Sequence, residues 1–471
     1  MANPFSLVIA GVDGGANLLD LPAPSATTTP YVDLATFSLT LSGDGGGQMT
    51  FDVIQPVTPG GGPWWRSGGV YDNARVQFFD SRYSAGTPLF LGFITNVSAS
   101  LLPNGLGTRC TVSVADADAW LEKTIVRKGF VGTNIKQMVG PFSRGNASTT
   151  DQTLINVILG KIHDQVNDAT TRQLLDTSVI SGSTRAVYTG AAVTIGRQTF
   201  KPASLVSILD QIAEEASGAS GKVFRYWVDG DGRLNYGPVD AAPSYANAPL
   251  EIVTDPASVA VGSASAASKM LPRAFTVDVD HDQMVKGIFV QAANTRARWD
   301  KNATPPTNDP YFRTYNGGTP YFGSGLSTRN GPEPHGVFSA PKIKGAASRT
   351  TRIQRLTKAT FQARALPVRT VNFTLAGSDL SQTASPDWTY GYTQGYAQTG
   401  ASTWTLVKAW LPNQYVKLTS SALDLSGTIL RIASVTMSFE SDSTYQVRYD
   451  IEAEYRRKKL GKALKRILVG E

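Results

Sequence analysis

Short strand-like segments recur along the first 125 residues. In three of them, at residues 37–41, 49–53 and 108–115, every second residue is apolar, as in Phe37, Leu39 and Leu41, which places the apolar side chains on one face of a strand. Residues 76–79 and 89–97 are predicted to pair as a hairpin. Glycine- and proline-rich stretches separate the segments. Residues 1–125 are therefore predicted to form a small barrel or sandwich, which is the first β-barrel-like domain. The predicted strands are residues 37–41, 49–53, 76–79, 89–97 and 108–115.

The apolar spacing becomes helical after Ala119. Residues 149–162 have an apolar stripe, with Thr150 or Asp151 as the N-cap. A second helix is predicted over residues 204–218, capped by Ser204. A hairpin follows, with strands 223–228 and 233–236 joined by a turn rich in Asp and Gly. Residues 126–240 are therefore predicted to be an inserted α/β module.

The segment after this module is rich in Ala, Ser and Pro. Residues 241–268 are interpreted as a linker or as a strand that returns to the first barrel, since Leu250, Ile252 and Val253 are apolar enough to pair. Residues 296–341 are polar and too long for an ordinary connection. We expect this long loop to be disordered until it binds or to fold onto a neighbouring subunit.

Regular patterns continue on both sides of the long loop. Residues 269–455 are predicted to form a second β-barrel-like domain that includes this loop. The strongest strand pattern is at residues 445–455, where five polar residues alternate with six mainly apolar ones. The other elements predicted here are strands 274–279, 284–291, 368–375 and 428–439 and a helix over 351–365.

Net charge is concentrated at the C-terminus. The formal net charge is +7, and residues 456–466 alone contain seven cations and no acidic residue. Residues 456–471 also place leucines and an isoleucine at helical spacing, which predicts a basic amphipathic helix. Three roles stay open for it: docking on its own or a neighbouring subunit, contact with an acidic partner, or contact with a membrane or nucleic acid. The predicted partner-binding residues are Arg456, Arg457, Lys458, Lys459, Leu460, Lys462, Leu464, Lys465, Arg466, Ile467 and Leu468.

Motifs for catalysis or metal binding are absent from the sequence. The single cysteine, Cys110, lies in an alternating segment and is predicted to be a buried core thiol. The three histidines lack paired metal-ligand spacing, and the Asp229 turn lacks later ligands of a calcium loop. Asp116 and Asp118 are interpreted as caps of the turn at residues 119–121. We expect no cofactor and no metal, although a distant pair of catalytic carboxylates leaves no local signature.

Membrane insertion and export are not predicted. No apolar run approaches the ~20 residues that span a bilayer. The first fifteen residues have no basic start before their apolar residues and no cleavage site. These patterns predict a protein that is made in a cytoplasm.

Several short motifs, taken in order, resemble the tail-hub proteins of long-tailed bacteriophages. The resemblance covers most of residues 30–455. In this sequence Asp116 lies further from Cys110 than in the family's motif. The matching segments are Leu91-Gly92-Phe93-Ile94, residues 110–116 followed by Trp120-Leu121, the helix and hairpin at residues 205–213 and 223–237, and Leu423-Asp424-Leu425 before the last strands.

The resemblance implies a mainly β fold in which two β-barrel-like hub domains flank a smaller α/β module. It also implies a non-enzymatic minor tail protein that forms a homotrimer at the tail tip of the virion. The partners it implies are the distal tail protein, the tape measure protein and other minor tail or fibre proteins. It implies no small-molecule substrate, and genome DNA would be met only in passing along the exit path.

A second function stays open at this point. Eight tryptophans and seventeen tyrosines in a β-rich chain are also compatible with a carbohydrate- or cell-wall-binding protein, or with a glycan hydrolase. Most of these aromatic residues lie within strand patterns, where burial in a core explains them.

Overall fold

The fold is mainly β, as the sequence predicts. In this computed structural model of the 471-residue chain, strands outnumber helices by a wide margin in the described residues. The residues described are 5–10, 30–43, 46–56, 74–80, 88–105, 107–126, 142–166, 186–188, 190–220, 222, 224–228, 232–238, 250–255, 269–280, 287–292, 295–300, 335–340, 368–376, 411–412, 414–423, 425–440 and 447–454.

Among the described residues, the elements follow one another in two β-rich stretches with three helices between them. The helices are α1 Asp118–Lys123, α2 Asp151–Val166 and α3 Leu205–Ser220. The strands before α2 are β1 Phe5–Ala10, β2 Tyr31–Ser42, β3 Gln48–Pro56, β4 Arg75–Asp80, β5 Phe90–Leu101, β6 Gly107–Asp116, β7 Ile125–Val126 and β8 Phe142–Arg144. Those from α2 to the long loop are β9 Ala186–Tyr188, β10 Gln198–Phe200, β11 Ala203–Ser204, β12 Phe224–Val228, β13 Leu234–Pro238, β14 Leu250–Val253, β15 Lys269–Met270, β16 Ala274–Asp280 and β17 Gly287–Ala292. The last are β18 Thr295–Asp300, β19 His335–Ala340, β20 Val368–Ala376, β21 Tyr415–Ser420, β22 Leu425–Phe439 and β23 Val447–Glu454.

The first six strands form one antiparallel region in the order β1-β4-β5-β6-β3-β2. All five strands predicted for residues 1–125 are present, and each observed strand is longer than the segment predicted for it. Strand β1 was not predicted, because its run of apolar residues lacks strict alternation. Cys110 is fully buried on β6, which confirms the prediction for this thiol.

The two β-rich stretches join in a single sheet of 13 strands. Strand β2 pairs antiparallel with β22 from Ser38↔Ser438 to Ser42↔Ser434. Phe5 on β1 and Phe37 on β2 each meet the ring of Phe439 at 5.2 Å between centroids, so the sheet curls around one shared core. The pairs between described strands do not close a barrel, so the barrel form of the two hub domains stays a prediction.

The C-terminal strands correct two expectations. Leu250–Val253 is a strand, but its partners are β21 and β15, so it joins the C-terminal strands and does not return to the first β unit. Strands β18 and β19 lie within the predicted long loop and pair with β17. Both ends of residues 296–341 therefore have regular structure. Sequence reasoning missed these strands because they lie at the two ends of a segment dense in Asn, Gly, Pro and Thr.

The inserted module has the helices and hairpin that were predicted. Thr153 N–H donates to Thr150 Oγ1 at 3.2 Å, and Ser207 N–H donates to Ser204 Oγ at 3.3 Å, so both capping predictions are confirmed. Helix α3 continues two residues beyond Gly218. Strands β12 and β13 form the antiparallel hairpin, and β9 adds in parallel to β13.

Three predictions fall outside the described residues: the helix at 351–365, the basic helix at 456–471, and the turn at Asp229 to Asp231. Within the described part of the chain, no helix has both the length and the apolar character needed to cross a membrane.

Candidate assembly surfaces

The predicted partner-binding segment, Arg456 to Leu468, lies outside the described residues, as does Tyr455 before it. Strand β23 ends at Glu454, which is buried. In sequence, the segment begins two residues after the end of this strand, and its docking role stays a prediction.

A largely enclosed carboxylate at the end of β6 holds the main sheet to the α/β module. The backbone N–H of Gly47 donates to Asp116 Oδ2, and the N–H groups of Gly46, Asp118 and Ala119 also donate to this carboxylate. The N-cap of α1 is Ala117 and has no side-chain cap bond, so Asp116 is not the cap that was predicted, although its carboxylate lies beside the first N–H groups of the helix. Burial raises the pKa of Asp116 to about 6 in spite of these donors.

Asp118 has a different role from the predicted cap. Its Oδ1 accepts a hydrogen bond from the N–H of Val228 at 2.8 Å, which ties α1 to the hairpin 110 residues later. Next to it, the ring of Trp120 contacts Phe93 with 4.3 Å between centroids. Phe93 belongs to the buried core of the module although it lies on strand β5 of the main sheet. The two cores therefore meet at β5 and α1.

Steric crowding explains why the Leu91-Gly92-Phe93-Ile94 motif has a glycine at its second position. A Cβ atom on Gly92 would lie 2.4 Å from the carbonyl oxygen of Ala115 and 2.7 Å from the ring of Phe90. Gly92 pairs with Asp116 on β6 and with Val76 on β4, so the backbone at this point is held on both sides. Only glycine fits here without displacement of a neighbouring strand.

A buried polar cluster joins helix α2 to the hairpin, and sequence reasoning missed it. Asp151 Oδ1 accepts hydrogen bonds from the N–H groups of Gln152 at 2.8 Å and Val193 at 2.9 Å. The hydroxyl of Tyr236 faces the same carboxylate, and burial together with the charge of Asp151 raises the pKa of Tyr236. The hydroxyl of Tyr188 donates to the backbone oxygen of Gln152 at 3.1 Å. Among the described residues, Tyr236 Oη and Asp151 Oδ2 are buried without a hydrogen-bond partner, so the hydrogen bonds of the cluster link α2 to Tyr188 and Val193, and Tyr236 contributes by packing.

Two strands of the main sheet have an open edge. Strand β4 pairs with β5 over residues 90–93 only, so residues 95–101 of β5 have β6 on one side and no described strand on the other. Strand β16 pairs with β20 along its whole length, and no second partner is found for it among the described strands. Among the described residues, both edges therefore present backbone groups that pair with no second strand.

The described residues do not suggest a reactive centre. They contain no group of three or more His, Cys, Asp and Glu side chains that could hold a metal ion. Burial raises the pKa of Cys110, which disfavours its thiolate. Two tyrosines among the aromatic side chains on which a sugar-binding hypothesis depends, Tyr236 and Tyr449, lie in the cores.

Comparison with known proteins adds a match of fold. No protein-family model matches the chain, and no curated protein sequence matches it. The tail protein from Neisseria meningitidis MC58 has 9% sequence identity and a TM-score of 0.51, over 97% of this chain and 98% of that protein. The 43 kDa tail protein of prophage MuSo2 from Shewanella oneidensis has 12% identity and a TM-score of 0.51, over 95% of this chain and 98% of that protein. The chain therefore has the fold of phage tail proteins, which confirms the resemblance found in its sequence.

Proposed function

We propose that this chain is the trimeric central hub of a phage tail tip. In this role it joins the hexameric distal tail ring to fibre or spike proteins and lines the path by which DNA leaves. The observation that carries the proposal is the fold shared with two phage tail proteins over nearly the whole of each chain. A match over nearly all of both chains is what two proteins of the same architecture give.

The internal architecture supports a ring-forming role. Two β-rich units sit in one curled sheet, and the α/β module lies between them in sequence. Three copies of a chain with two similar β units present six such units, which is the number needed to match a hexameric ring. The partners proposed are further copies of the chain, the distal tail protein, the tape measure protein and other minor tail or fibre proteins.

The proposal places the protein at the tail tip of the virion after synthesis in the host cytoplasm, and it assigns no enzymatic activity. Deletion of the gene from the phage tests it. We expect particles without complete tails, and rescue by a plasmid copy of the full chain. Complete, infectious tails assembled without this chain would overturn the proposal.

A further inference from the structure

Among the described residues, no strand covers the outer half of β5. Residues 95–101 pair with β6 from Asn96↔Ser113 to Leu101↔Thr108, and they extend beyond the end of β4. Their sequence, TNVSASL, contains no charged residue and no proline. Native proteins cover such an edge or interrupt it with charges, because it is a template for pairing with another strand. We name residues 95–101 the β5 edge.

The two faces of the β5 edge differ in polarity. Val97 and Ala99 lie opposite Val112 and Cys110, which are buried in the main core, and Leu101 continues this row with 79% of its surface exposed. Asn96, Ser98 and Ser100 form the opposite row. An apolar row therefore runs out of the core and ends in solvent.

Strand β16 offers a second edge with the same pattern and the same length of seven residues. Phe275 and Val277 pack partly on the main core, and Val279 ends this row with 43% of its surface exposed. Thr276 and Asp278 lie on the polar face, where the amide of Asn372 donates to Asp278 at 3.5 Å. Five large apolar side chains are exposed among the described residues, and two of them end these two rows.

We propose that the β5 edge pairs with strand β16 of a second copy of this chain. Such pairing aligns the row ending in Leu101 with the row ending in Val279, so the apolar core continues from one subunit into the next. The polar rows meet on the other face, where Arg109 lies opposite Ser100 on the neighbouring strand of the first copy. Its guanidinium is 3.7 Å from Asp33 and 3.5 Å from Asp52, and it can approach Asp278 of the second copy.

The contact joins two different surfaces and is therefore compatible with a ring of subunits. The two surfaces differ, so each copy uses its β5 edge toward one neighbour and its β16 toward another, and such head-to-tail contacts close into rings or continue as filaments. The inference rests on the proposed trimeric hub and names the surfaces that join its subunits. A pair of seven-residue strands is about 23 Å long, which is short for a stable interface by itself. The isolated chain is therefore expected to associate weakly through this contact.

Cross-linking between variants that each carry one added cysteine tests the pairing. Asn96→Cys, Ser98→Cys and Ser100→Cys on the β5 edge are each mixed with Thr276→Cys or Asp278→Cys in the full chain, and oxidised at high protein concentration. Residues opposite each other in paired strands have the Cα separation that a disulfide needs. We expect a covalent dimer in at least one mixture and in neither variant oxidised alone. The native Cys110 is fully buried and does not compete.

Two controls make the result specific. Val157→Cys on α2 is exposed to a similar extent as Val279 and should give no dimer with any β5 variant. Adding Leu101→Lys to the β5 variants should lower the yield roughly tenfold or more, because it removes the burial of one leucine from the contact. Thermal melting confirms that these variants are folded.

Two outcomes would overturn the pairing. One is a dimer formed by a β5 variant alone, which means that two β5 edges pair with each other. The other is a yield in every mixture no higher than with Val157→Cys. A trimer seen by mass without these cross-links refutes the pairing and leaves the hub proposal intact. A phage that assembles complete tails without this chain refutes the hub proposal itself.

Discussion

Arg431 on β22 and Glu454 on β23 form a buried ion pair, with 2.6 Å between Nη2 and Oε1. The two residues lie opposite each other at the end of the β22–β23 ladder. Arg431 also lies opposite Tyr415 of β21, so at this residue strand β22 has β21 on one side and β23 on the other. Glu454 is the last described residue before the basic C-terminal segment.

Loss of one partner of this pair should destabilise the protein strongly. Glu454→Leu leaves the guanidinium buried without this carboxylate, which costs about 3–5 kcal/mol. The double variant Arg431→Met with Glu454→Leu should recover most of this loss, because neither charge of the pair is left buried without its partner. Urea unfolding measures both free energies.

The exposed pair of Arg448 and Asp450 provides the control, since about half of each side chain is accessible to solvent. Arg448→Gln should change the free energy of unfolding by less than about 1 kcal/mol. Equal losses for Glu454→Leu and Arg448→Gln would show that burial of the first pair does not matter.

Gly92→Ala should destabilise the main sheet. The added methyl group meets the backbone oxygen of Ala115, which belongs to a paired strand and cannot move freely. Overpacking of this kind costs about 1–3 kcal/mol, or more when backbone must shift. Ala99→Ser, at an exposed position of the same strand, should change the free energy of unfolding by less than about 0.5 kcal/mol. A Gly92→Ala protein with unchanged thermal stability would contradict the steric account of the motif.

Asp116 should make the stability depend on pH in a defined direction. Its pKa rises from 3.8 in the unfolded chain to about 6 in the fold, so the native state binds more protons between these values. The free energy of unfolding of the native protein, relative to Asp116→Asn, should therefore fall as pH rises from about 4 to 7, by at most about 3 kcal/mol. Urea titrations of both proteins at several pH values measure this difference. A difference that stays constant or grows with pH would refute the assignment.

Local patterns predicted individual elements, whereas long-range pairing was beyond their reach. The caps Thr150 and Ser204 lie within three residues of the N–H groups they bind, so sequence alone identified them. The pairing of Ser38 with Ser438 joins residues 400 positions apart and has no local signal.

The polar contacts within the fold show the same difference between local and long-range signals. Asp116 was predicted to lie at the start of α1 because its donors there are adjacent in sequence, although it is not the N-cap. The link from Asp118 to Val228 and the approach of Tyr236 to Asp151 were missed, because these partners meet only after the α/β module has folded.

Deletion of residues 457–471 should leave the fold intact and prevent attachment of the next tail-tip component. The predicted helix is too short to be stable alone in water, so its leucines need a protein surface. Each exposed ion pair contributes at most about 1 kcal/mol, so burial of the leucines should dominate the contact. Electron microscopy and infectivity of phage carrying the deletion measure the effect. Complete, infectious tails would show that the segment is dispensable.

The copy number and position of this chain in the assembled tail test the central claim most directly. A reconstruction of the intact particle by electron cryomicroscopy, without symmetry imposed at the tail tip, gives both. The hub proposal predicts three copies in one ring at the tip, directly below the hexameric distal tail ring. Six copies per tail, or density for this chain away from the tip, would contradict it.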